Sequence, residues 1–232
     1  MRRGLPIVLS LLAVVGILHS QPTETGYTPV APPAALQAAL QANLKQYGDW
    51  INEKDFASAA ATARGVLALT HLYGYQGSDP AWKKRVGELA QACGKLASAA
   101  GQKNAAECEK ASEECQRLLA ELAKNPPTGA KAVEKSFKAP PTKTLMLLMD
   151  AAYGDAKFAM TPMQLELLAY AIAEEVNATA HLKNDGAWLK HSLAVREAAL
   201  QVARESGNLE LAKKSLKEVY NRCEACHQRY QK

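Results

Sequence analysis

The chain has 232 residues, 48% of them apolar and 22% charged, with 28 basic against 23 acidic side chains. That length exceeds the usual single domain of about 100–150 residues, so one large unit or two small ones are open. A net charge of +5 with no basic cluster, no aromatic interleaving and no glycine-rich phosphate loop argues against nucleic-acid and nucleotide partners.

Residues 1–20 begin with Arg2 and Arg3, run through the apolar stretch Ile7 to Leu18, and end in His19 and Ser20 before the polar Gln21. A basic start followed by an apolar run too short for a membrane span of about 20 residues describes a secretory signal peptide. The expected localisation is therefore a periplasm or the outside of the cell. Cleavage leaves 26 basic against 23 acidic residues. No later segment could cross a bilayer, so no membrane span is expected in the mature chain. Residues 21–34 are rich in Pro and Thr without an apolar period and are read as an extended linker.

Two helical units follow, over 35–124 and 142–232, separated by a Pro-rich linker over 125–141 with Pro126, Pro127, Pro140 and Pro141. Ala, Leu, Glu, Lys and Gln dominate both units, and no stretch alternates apolar and polar residues as a half-buried strand would. The breakers predict helices over 35–52, 55–73, 79–99 and 103–123, then 142–159, 162–182, 186–205 and 208–230. Asp79 before Pro80 and Thr161 before Pro162 are N-cap and first-turn pairs. Short connections make neighbouring helices antiparallel, so the expected fold is all-α, two tandem four-helix bundles.

The units share landmarks in the same order. Tyr47-Gly48-Asp49 matches Tyr153-Gly154-Asp155, His71-Leu72 matches His181-Leu182, and Ala81-Trp82-Lys83 matches Ala187-Trp188-Leu189. Each Trp stands 19 residues before a turn glycine, Gly101 or Gly207. This is the pattern of an internal duplication.

The last helix of the second unit carries Cys223-Glu224-Ala225-Cys226-His227, the C-x-x-C-H pattern of covalent haem attachment. Two thiols on one helical face can each add across a haem vinyl group, and the adjacent imidazole can reach the iron as a neutral nitrogen donor. Leu209, Ala212, Leu216, Val219, Cys223, Cys226 and Tyr230 follow each other at spacings of three and four residues, a seam that predicts inward-facing cysteines. A redox dithiol and half of a zinc site use the same residue types. The βαβ pattern expected beside the first is absent, as is a second ligand pair at matching spacing for the other.

A helical unit with this motif on its last helix resembles the class II c-type cytochromes, cytochrome c′ and its low-spin relatives, over residues 142–230. The resemblance implies one covalent haem c, attached through Cys223 and Cys226, with His227 as proximal iron ligand and Tyr230 as the aromatic residue that follows. Where members of the family often carry an arginine four residues beyond the histidine, this chain has Gln231, with Arg229 two residues earlier.

The resemblance also divides the outcomes by sixth ligand: low-spin members use a methionine on the first helix, whereas cytochromes c′ leave an apolar distal side and a five-coordinate iron. Met149 is the candidate distal ligand, on the seam Leu145, Met149, Ala152, Ala156 and Ala159. The alternative makes it core filler, like Met146, Met160 and Met163. His181 and His191 are rival ligands. They are read as structural or surface residues, since His181 has a counterpart, His71, in the unit without a haem motif.

In the first unit the corresponding helix reads Glu113-Glu114-Cys115-Gln116-Arg117-Leu118-Leu119, with no second cysteine in step and no histidine, and Asn43 stands in the place of Met149. A degenerate, haemless bundle is expected there. Cys93 and Cys108 lie about equally far from the turn at Gly101, which would let them meet as a disulfide and leave Cys115 as the odd thiol. The alternative is that all three are buried small apolar residues.

The expected function is a monohaem electron carrier that passes single electrons between exported redox proteins, and not an enzyme. The alternative is a gas-binding or sensing haem protein with an open distal site; a helical scaffold or redox-dithiol protein without haem is a third reading. The resemblance leaves a homodimer open. No nucleophile and base pairing such as GxSxG or HExxH is present. Asn177-Ala178-Thr179 matches a glycosylation acceptor but falls inside a predicted helix.

Overall fold

The computed structural model describes residues 26–127, 131, 134, 135 and 137–230. The expected signal peptide, the first part of the extended linker, and Gln231 lie outside the described residues. Among the described residues the chain is all-helical, with eight α-helices: α1 Pro33–Asn52, α2 Phe56–Tyr73, α3 Pro80–Gly101, α4 Ala105–Lys124, α5 Thr142–Phe158, α6 Pro162–Ala180, α7 Gly186–Glu205 and α8 Leu209–Tyr230. No expected helix end is displaced by more than two residues.

Local chemistry explains these limits. The side chains of Asp55, Asp79, Asn104, Thr161 and Asp185 each accept a hydrogen bond from a backbone N–H in the first turn of the helix they precede. Proline at the first turn of α1, α3 and α6 gives up no hydrogen bond, because that N–H has no partner inside a helix. Lys54 and Lys103 take φ of 62° and 55°, the left-handed turn that ends α1 and α3 and reverses the chain.

Each helix rests on the next within a unit, and α4 closes back on α1. In the second unit α5 and α8 touch far less than α1 and α4 do. The units meet where α1 lies on α6 and α2 on α5. At Gly65 of α2 a Cβ would stand 3.0 Å from Leu148 Cδ2 of α5, so glycine is what admits this approach.

Two apolar cores result, and the boundary between them does not follow the repeat. Leu145 and Leu148 of α5 and Ala178 of α6 belong to the core of the first unit. Met149, Ala156 and Ala159 belong to the second, with Ala152 against it. The predicted α5 seam is therefore split, because α5 is sandwiched between two units and buries two faces.

The segments read as linkers are structural. Tyr27 forms an antiparallel backbone bridge with Glu134, and its ring stacks on Phe137 with centroids 3.9 Å apart. Fully buried Glu174 of α6 accepts hydrogen bonds from the Tyr27 hydroxyl and from the N–H groups of Val30 and Ala31 at 2.7 Å each. Lys131 Nζ donates to the carbonyls of Pro29 and Ala31. A polar lead-in can thus be buried because its backbone groups find side-chain partners.

Two further expectations need correction, and one holds. Met160 and Met163, read as core filler, are 82% and 69% exposed, because they stand at the α5–α6 turn, away from either core. Cys93 faces Cys115, not Cys108: the two sulfurs lie 3.8 Å apart, while Cys108 lies against Tyr47. The reversal runs through Gln102–Asn104, so its midpoint is past Gly101 and the residue opposite Cys93 falls further along α4. Asn177 is buried in α6, where its amide donates to the Thr28 carbonyl and accepts from Arg196, as its placement inside a helix implied.

Candidate functional site

On α8 the apolar residues Ala212, Leu216 and Val219 are buried against the second core, and Leu209 and Cys223 pack on it. Continuing along that face, Cys226 is buried, while Cys223 and His227 are half-buried. A helix carries residues three and four apart on the same side, so the seam that anchors α8 also delivers both thiols and the imidazole to the interior.

They arrive at one cleft. Met146 and Met149 from α5, Val176 and Thr179 from α6, and Trp188, Ser192 and Val195 from α7 form its other walls. The structure thus brings Cys223, Cys226, His227 and Met149 together, from opposite ends of the second unit. His181 and His191 do not line it. His181 stands with Phe137 and Tyr27, ring centroids 5.5 and 5.7 Å away, and its counterpart His71 approaches Phe137 at 6.0 Å. The repeated histidines therefore flank the aromatic seam between the units. His191 lies 6.2 Å from the Tyr230 ring.

The far end of α8 is tied down by contacts that the sequence did not announce. The Tyr230 ring meets Trp188 edge-on at 5.1 Å, and Lys183 Nζ lies 4.3 Å over Trp188 and 5.0 Å over Tyr230. The Tyr230 hydroxyl donates to Asp185 at 3.3 Å, and that carboxylate also caps α7. Trp188 was legible only as a landmark of the repeat. Thr179 and Ser192, whose hydroxyls meet at 3.4 Å in the wall, carry no signal in composition or spacing.

The site favours neutral thiols. Burial pushes the Cys223 thiol up to about 11, helped by Cys226, Asp150 and Glu224. Burial likewise raises Cys226, with the Lys183 ammonium opposing it. Tyr153 is raised by burial, then by Cys223 and Tyr220 nearby.

The cleft gathers two thiols one helical turn apart, an imidazole on the same helix and the Met149 thioether of α5. A metal ion alone is less well served, because among the described residues no three His, Cys, Asp or Glu side chains gather as ligands. The cleft encloses about 30 Å³, against roughly 300–1,000 Å³ for cofactor sites in general. A porphyrin would enter only if the walls parted, and of the neighbouring helix pairs around the cleft α5 and α8 hold each other least.

No helix among the described residues is long and apolar enough to cross a membrane. Comparison of the chain with protein-family models, with curated proteins and with solved structures finds no match.

Proposed function

We propose that this chain is an exported monohaem c-type cytochrome that carries single electrons between redox partners. Its eight helices form two four-helix bundles of the cytochrome c′ type, the second holding the haem and the first a haemless copy. The observation that carries the reading is the convergence of Cys223, Cys226, His227 and Met149 on one apolar cleft.

Cys223 and Cys226 would hold the group through thioether bonds, and His227 would supply a nitrogen to the iron. Met149, which is buried and borders the same space, would be the sulfur donor. When bound, haem would supply a one-electron couple. Val176, Val195 and Met146 exclude water from the cleft, and Trp188 with Tyr230 keeps the end of α8 in place.

The test is to express the chain with its leader and haem-maturation machinery and to record oxidised and reduced spectra with and without carbon monoxide. A sharp reduced spectrum unmoved by the gas, and lost in Met149→Ala, is expected. A broad spectrum shifted by carbon monoxide replaces electron transfer with an open, gas-binding iron. Absence of covalent haem overturns the reading altogether.

A further inference from the structure

The first unit buries three cysteines that this function does not use. Cys93 on α3 and Cys115 on α4 are both fully buried, on neighbouring helices joined by the short reversal after Gly101, and their sulfurs lie 3.8 Å apart. Thr70 Oγ1 lies 3.5 Å from the Cys93 sulfur and already donates to the Val66 carbonyl, so its oxygen is left to accept from the Cys93 thiol while the Cys93 sulfur accepts from Cys115. Cys108 is turned instead to Tyr47.

Two sulfurs in contact across a helix pair are already near each other, and a disulfide would bring them to about 2.05 Å. We propose that Cys93 and Cys115 form a disulfide in the exported protein, tying α3 to α4 in the unit that no covalent prosthetic group braces. This rests on the export part of the proposed function, because disulfides persist in oxidising compartments.

The oxidant is a disulfide-bearing thiol oxidase or oxidised glutathione. One of the two thiols, as its thiolate, attacks a sulfur of that disulfide and releases one thiolate, forming a mixed disulfide. The second cysteine loses its proton and attacks the first cysteine's sulfur, expelling the other thiolate. Two electrons and two protons pass to the oxidant, which leaves as two thiols. Since both side chains are buried in the folded unit, exchange precedes closure of α3 on α4. Cys108 remains a buried thiol, and Cys223 and Cys226, on α8, remain free for the haem.

The full chain, produced with its own leader and haem-maturation machinery, is alkylated under denaturing conditions without reductant, digested, and mapped by mass. A linked peptide pair containing Cys93 and Cys115 that separates on reduction, together with alkylated Cys108, is expected. Alkylated Cys93 and Cys115, or a Cys93–Cys108 link, overturns the inference. The Soret absorbance of the same preparation reads the haem separately, so a link without haem sinks only the proposed function, and haem without the link sinks only this one. In a second measurement the Cys93→Ser, Cys115→Ser chain shows an unfolding equilibrium shifted by about a hundredfold towards the unfolded state. If that variant does not fold, the peptide map of the unaltered chain decides.

Discussion

The indole Nε1 of Trp188 donates to the carbonyl oxygen of Thr179 at 2.6 Å, whereas the Nε1 of Trp82, its counterpart in the first unit, is buried without a hydrogen-bond partner among the described residues. Replacing either by Phe removes similar volume, so the difference between them reports the hydrogen bond and the carbonyl it leaves bare, together with the Lys183 contact over Trp188. Trp188→Phe is expected to cost about 1–2 kcal/mol more than Trp82→Phe in urea unfolding of the full chain. Equal costs would mean that water satisfies Thr179 once the indole is gone.

Glu175 is fully buried beside Glu174, and its Oε2 has no partner among the described residues. Burial above all, and then the charge of Glu174, hold its carboxyl well above the usual carboxylate range. The folded chain therefore keeps a proton that the unfolded chain releases. The stability this contributes is full below the unfolded value and is lost as pH rises towards the folded one, at up to about 1.4 kcal/mol per pH unit. Glu175→Gln should flatten that fall, read as the dependence of the urea midpoint on pH above pH 5, and should make the chain more stable than its parent at alkaline pH. An unchanged slope would place the titrating group elsewhere.

In the reduced chain made without haem, Cys223 is a poor nucleophile at neutral pH. With its thiol held at about 11, roughly one molecule in ten thousand carries the thiolate at pH 7. Its labelling by iodoacetamide should accelerate about tenfold per pH unit between pH 7 and 10. A rate that levels off near pH 8.5, as for a free cysteine, would show that the α8 face opens to solvent.

Gly65 lies where α2 and α5 approach closely, since its added Cβ meets buried Leu148. Gly65→Val overpacks this contact and is expected to destabilise the chain by about 1–3 kcal/mol. Gly48→Val on α1 is the control. It adds the same side chain with nothing within 4 Å of its Cβ and should be neutral or slightly stabilising, because glycine is the poorer helix former. A Gly65→Val cost no larger than that of Gly48→Val would mean that α2 and α5 separate freely.

The sequence by itself determined the local elements and the chemistry they carry. Helix periodicity and capping residues such as Asp79 and Thr161 act within a turn or two of chain, so the eight helices and the inward face of α8 could be read directly, and with them the grouping of Cys223, Cys226 and His227. Only the tertiary structure decided which surface covers each face. It paired Cys93 with Cys115, divided α5 between two cores, left Met160 and Met163 in solvent, and bound the lead-in around Tyr27 to Glu174. It also brought Met149 to the wall opposite Cys223 and Cys226. A periodic pattern states that a face is apolar, while the partner that buries it is set by how helices distant in sequence settle against one another.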